Sequence, residues 1–170
     1  MASDADAFER EFERILEQNE RFVEAFDRSG LTAAPLTGLA ILTCMDARID
    51  VEDALGLRVG EAHIIRNAGG LASEDAIRSL VVSQQLLGTR QIVVIAHTRC
   101  GLHGADEDAL RSRVTETTGF ETEMAFGGFG DLDAMVREQV EILQEEPVLL
   151  DVPVHGLVYE VETGRLRQVV

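Results

Sequence analysis

The chain carries two cysteines, Cys44 and Cys100, and both have chemically useful company. Cys44 opens the run Cys44-Met45-Asp46-Ala47-Arg48, and Cys100 closes His97-Thr98-Arg99-Cys100. The thiols are open to three readings: inert buried groups, one disulfide, or metal ligands. A reducing cytoplasm disfavours the disulfide, and the neighbouring imidazole and carboxylate favour the metal. Cys44, His97 and Cys100 would offer Zn²⁺ two thiolates and one imidazole. Structural zinc normally takes four protein ligands, whereas a catalytic site leaves one position for water. No third cysteine closes the shell, so the pattern points to catalysis.

Asp46 and Arg48 strengthen that reading. A carboxylate beside the metal can accept a hydrogen bond from bound water and orient its lone pair. A bidentate pair with Arg48 would fix Asp46 and keep it ionised. The bland alternative is a surface ion pair in a turn. Zinc lowers the pKa of its water from about 15.7 to about 7. Two thiolates donate more charge than imidazoles do, so activity is expected to rise on the alkaline side. His-x-x-Cys alone is a weak signal; joined to Cys-x-Asp-x-Arg at another strand end it is a specific one.

These groups need a frame to converge. Leu39–Cys44 (LAILTC) and Ala62–Asn67 (AHIIRN) read as buried strands, and Gln91–Thr98 (QIVVIAHT) is the clearest strand. Ser73–Leu87 reads as a helix with Ser73 as N-cap and Gly88 as its stop. Asp106–Thr117 is helical, as is Asp131–Glu145, whose Leu132, Met135, Val136, Val140 and Leu143 share a face before Pro147. Val154–Val161 and Arg165–Val170 form a hairpin around Glu162-Thr163-Gly164. Residues 5–28 make an amphipathic helix ended by Ser29-Gly30, with Phe8, Phe12, Ile15, Leu16, Phe22, Val23 and Phe26 as its stripe. The expected fold is therefore α/β: a central, mostly parallel sheet with an antiparallel C-terminal edge strand, flanked by helices and preceded by a helical arm (1–30). In such sheets ligands gather at the carboxyl ends of strands, where Cys44 and His97 fall. The chain reads as one domain, 1–170, and the Gly-rich stretch 118–130 as a mobile loop.

The stretches CMDARID, IIRNAGG, AIRSLVVSQQLLGT, HTRCG and VHGLVYEVETGRL resemble the short members of the β-class carbonic anhydrases and cover residues 39–170. The resemblance implies zinc on Cys44, His97 and Cys100, and an orienting dyad of Asp46 with Arg48. The implied reaction is reversible hydration of carbon dioxide to bicarbonate and a proton, by attack of zinc-bound hydroxide. It also implies a homodimer or higher oligomer, with the arm wrapped around a partner. The backbone N–H of Gly101 would help hold the substrate oxygen, and the loop carrying Asn67, Gly69 and Gly70 would line the pocket. In some members the dyad breaks and the aspartate takes the fourth metal position, which would be Asp46 here. Arg99 stands where a shorter acidic or neutral side chain is familiar; it would attract bicarbonate or face solvent.

The same residues admit other functions. Short members of the family include hydrolases of carbonyl sulfide and carbon disulfide, which are linear like CO₂. A non-catalytic structural-zinc protein would need Asp46 or His103 as fourth ligand. His103 would otherwise pass protons or be solvated; His63 and His155 are structural or solvated, and Asp75 with Arg78 form an ion pair. A nucleotide-binding module lacks any Gly-rich phosphate signature. The net charge of −16, with 15 basic residues that are all Arg, offers no basic footprint for nucleic acid. That bias fits a GC-rich genome or salt adaptation. No apolar run reaches the roughly 20 residues of a membrane span, and Met1–Glu20 lacks signal-peptide blocks, so a cytoplasmic protein is expected.

Overall fold

The computed structural model describes residues 4–170, in two units, 4–32 and 33–170. The first is helix α1 (Asp4–Glu24) and its exit turn. Its stripe residues Phe8, Phe12, Ile15, Leu16, Phe22 and Val23 are exposed. The helix stops short of Ser29-Gly30 because Ala25 and Phe26 bond to carbonyls three residues back, which tightens the chain out of α-helix.

The second unit runs β1 (Leu39–Cys44), α2 (Val51–Leu55), β2 (Ala62–Asn67), α3 (Glu74–Leu87), β3 (Gln91–His97), α4 (Glu107–Thr118), α5 (Leu132–Glu145), β4 (Val154–Tyr159) and β5 (Leu166–Gln168). The sheet order is β2-β1-β3-β4-β5. The first four strands are parallel, and β5 is the antiparallel edge. This is the expected fold class. Because β1 lies between β2 and β3, the chain reverses its direction of travel across the sheet, and a crevice opens at the strand ends.

The central strands β1 and β3 are buried on both faces, which explains their near-continuous apolar sequences. Alternate side chains point to opposite sides. Ala40 and Leu42 of β1 join Ile92 and Val94 of β3 under Leu80 of α3 and Val140 and Leu143 of α5. Ile41 and Ile95 face the other way, with Ile49 and Val51 at the start of α2. Ser73 is the expected N-cap, its Oγ accepting from Ala76 N, whereas Asp131, placed inside the expected helix, caps α5 from outside it, its Oδ1 accepting from Ala134 N at 2.8 Å. Gly88 takes φ +81 after α3. Asp106, placed inside the expected helix, is instead the N-cap of α4.

Gly156 shows how close α5 comes. A Cβ there would lie 2.5 Å from Val136 Cγ1 and 2.9 Å from Val170 Cγ1. Gly156→Ala is therefore expected to destabilise the protein by about 1–3 kcal/mol through overpacking. Urea unfolding checks this, and an unchanged midpoint would refute it.

Candidate metal centre

Cys44 ends β1 and His97 ends β3, adjacent strands held in parallel register up to Thr43 against Ile95. Pairing alone thus carries both side chains to one end of the sheet. Cys100 must then return from three residues beyond His97. The Thr98-Arg99 turn achieves this with Arg99 in the left-handed region, φ +55, the one non-glycine with positive φ among the described residues. The ligand atoms of Cys44, His97 and Cys100 all lie within 4.8 Å of one another, and all three residues are buried.

Gly70 presses the 67–70 loop onto the first of these. Its φ is +69, and a Cβ would sit 2.9 Å from the carbonyl carbon of Thr43 and 3.0 Å from the nitrogen of Cys44. Only glycine permits that approach. Gly69, at φ +83, packs as tightly on Leu102 and Leu71.

The donor set fits a metal ion. His97 Nδ1 lies 2.9 Å from the Thr98 carbonyl, so that nitrogen carries the proton and donates it. Nε2 is left as a buried atom with no hydrogen-bond partner. A buried orphan nitrogen is costly, and a cation between it and the two sulfurs removes the cost. Burial lowers the His97 pKa, keeping the ring neutral. Burial also raises the Cys100 pKa, with Cys44 adding to it; a divalent cation reverses that preference by stabilising thiolate.

Asp46 stands at the edge of the cluster, its Oδ2 3.8 Å from His97 Nε2. Arg48 holds it in a two-point grip: Nε donates to Oδ1 at 2.9 Å and Nη2 to Oδ2 at 2.7 Å. The guanidinium hydrogen bonds hold the Asp46 carboxyl far below the usual carboxylate range. Arg48 Nη2 also donates to the Arg99 carbonyl at 3.0 Å.

Arg66 has no role that its sequence context suggests. It donates to the carbonyls of Cys44 (2.9 Å), Asp46 (2.7 Å) and Ile49 (3.2 Å), bracing the whole 44–49 turn. The available signal was a charged residue interrupting an apolar strand. Asn67 turns onto its own loop, donating to the Leu71 carbonyl and accepting from Leu71 N. Gly101 is exposed, and nothing crowds its Cα.

Arg99 directs its guanidinium to Glu162, 2.6 Å away. His103 stacks on Phe129 and reaches the Gly130 carbonyl, so its ring lies outside the donor cluster. His63 is half-buried between Ser83 Oγ and the Ala33 carbonyl, His155 is exposed, and Asp75 pairs with Arg78 on the surface. The stretch read as a mobile loop is fastened at its second half. Glu107 accepts from the backbone N–H groups of Phe126 and Gly128, while Phe129 N donates to Leu102 O.

Three donors on one side, an ionised carboxylate beside them and, among the described residues, no fourth protein donor in the cluster define a candidate metal site of the catalytic kind on an open α/β sheet. Comparison with known proteins supplies the lineage. Residues 39–124 match the carbonic anhydrase family model. Beta-carbonic anhydrase 1 of Mycobacterium tuberculosis is 39% identical over 82% of this chain and 86% of its own. A carbon disulfide hydrolase of Acidithiobacillus thiooxidans is 37% identical over 76% of this chain and 75% of its own. The crystal structure of carbonic anhydrase from Streptococcus mutans superposes with a TM-score of 0.90 at 38% identity, covering 94% of this chain and 97% of that one. The chain belongs to the β-carbonic anhydrase family, whose members are metal-dependent enzymes. Among the described residues, no helix is long and apolar enough to cross a membrane.

Proposed function

We propose that the chain binds one Zn²⁺ through Cys44 Sγ, His97 Nε2 and Cys100 Sγ and catalyses the reversible hydration of carbon dioxide to bicarbonate and a proton. The observation that carries this is the partnerless His97 Nε2 facing two thiols, with Asp46 held aside by Arg48. Bound there, the metal would supply the Lewis acidity that brings the pKa of a water towards neutrality. The Thr98 carbonyl keeps the His97 ring in the tautomer that presents Nε2. Asp46, ionised and acceptor-only, takes a hydrogen bond from the reacting water and points its lone pair at the carbon. Arg48 holds that carboxylate in place. Gly69 and Gly70 shape the pocket by letting their loop approach β1, Asn67 stiffens the loop, and the Gly101 N–H steadies the substrate oxygen. Two copies form the working unit, each helical arm laying its exposed apolar stripe on the other. The cytoplasm is the compartment in which both thiols stay reduced.

A second reading keeps the site and changes the substrate to carbon disulfide or carbonyl sulfide. The similarity to carbon disulfide hydrolases is nearly as high as to carbonic anhydrases, and the same water attack serves either linear molecule. One preparation separates the two. About one zinc per chain with rapid CO₂ hydration and negligible sulfide release is the expected result. Strong sulfide release without CO₂ hydration would replace the first reading with the second.

A further inference from the structure

The Thr98-Arg99 turn presents two successive carbonyl groups to the site. The first, of Thr98, takes the Nδ1 proton of His97. The second, of Arg99, takes a proton from Arg48 Nη2 at 3.0 Å. Nη2 has two hydrogens, and the other goes to Asp46 Oδ2 at 2.7 Å. Asp46 and Arg48 belong to one short turn after β1, so their mutual bonds fix them only to each other. Among the hydrogen bonds made by these two side chains, the Arg99 carbonyl is the tie to the His97–Cys100 loop.

That tie depends on an unusual backbone. Residues with a Cβ seldom adopt φ near +55, and turning residue 99 into the extended or right-handed region would swing its carbonyl away from Arg48. The turn is clamped from behind. Thr98 N donates to the Tyr159 carbonyl at 3.0 Å, and Val161 N donates to Thr98 Oγ1 at 3.1 Å. The Arg99–Glu162 ion pair adds a third clamp, but both side chains are largely exposed and such pairs contribute little. The backbone of residue 99 does more here than its charge.

We propose that Arg99 is a positioning residue: its left-handed backbone aims its carbonyl oxygen at Arg48 and thereby holds the Asp46 carboxylate on the guanidinium and off the three-donor cluster. Its kinetic consequence rests on the proposed hydration; its geometric core does not. The test uses ¹⁵N-labelled, metal-free protein, following solvent exchange of the Arg48 Nε–H, assigned by its loss in Arg48→Lys. Arg99→Gly and Arg99→Asn tolerate positive φ and should keep that proton as slow to exchange as in the wild type. Arg99→Val resists it, and exchange should quicken about tenfold, the scale of one lost hydrogen bond to a charged group. In the zinc-loaded enzyme kcat should fall about tenfold in Arg99→Val relative to Arg99→Gly, with KM little changed. Slow exchange in Arg99→Val, or equally fast exchange in Arg99→Gly, overturns the proposal. If Arg99→Val does not fold, Arg99→Ala replaces it, and exchange no faster than in Arg99→Gly overturns the proposal in the same way. A wild type without CO₂ hydration would refute the proposed function while leaving the exchange result to judge Arg99.

Discussion

Replacing Asp46 by alanine is expected to cut the turnover of CO₂ hydration by on the order of a hundredfold, the usual scale for a lost proton-handling group, while each chain keeps its zinc. The carboxylate does not belong to the donor cluster: both its oxygens are engaged by Arg48, and the cluster is complete without it. On the proposed reaction, the substitution would remove the acceptor that orients water, together with the anion facing Arg48. Asp46→Asn should lose nearly as much, since the amide keeps the shape but not the charge. Because Arg48 pulls the Asp46 pKa down, the pair is intact above the ordinary carboxylate value of about 3.9. It is lost only as pH falls through the much lower folded value. A decline in activity between pH 8 and 6 would therefore not originate in the Asp46 carboxylate. Elemental analysis with stopped-flow hydration assays decides the matter, and full turnover in either variant would remove Asp46 from the reaction.

His97→Ala is expected to abolish metal retention. The imidazole supplies the one nitrogen of the set, and its Nε2 has no alternative partner to satisfy it. Losing even an outer partner of a metal ligand costs roughly 10–100-fold in affinity, and losing the ligand itself costs more. Zinc per chain after dialysis against a chelator should fall from about one to a small fraction. The fold should survive, because Leu42, Leu80, Val94 and Val140 form a core that does not involve the cluster. Native circular dichroism with no zinc is the expected pair of readings. A variant retaining full zinc would show that the ion sits elsewhere.

The residue types at the site were legible from the amino-acid order because the chemistry demands them. Sulfur, imidazole and a paired carboxylate at two strand ends admit few readings, and a strand buried on both faces, such as Ile92–Ala96, announces itself. Short or irregular elements were not legible. Helix α2 has five residues and too little periodicity to stand out, although Asp50 caps it. The hold of Arg66 on three backbone carbonyls exists only once β2 lies beside β1. Arg99 was read for its charge, yet what matters in the structure is the sign of its φ, which an arginine does not advertise. The Gly-rich stretch lacked periodicity and so read as loose; its anchor, Glu107, lies on a separate helix.

The nearness of Cys44 and Cys100 has a consequence for handling the protein. Both thiols are unpaired and their sulfurs lie within the 4.8 Å span of the cluster. In metal-free protein, peroxide can take two electrons and two protons from them and leave a disulfide between them. Chelation in air would then be hard to reverse by adding zinc back, whereas the same treatment under reductant would be reversible. An ion bound there would protect the sulfurs that hold it.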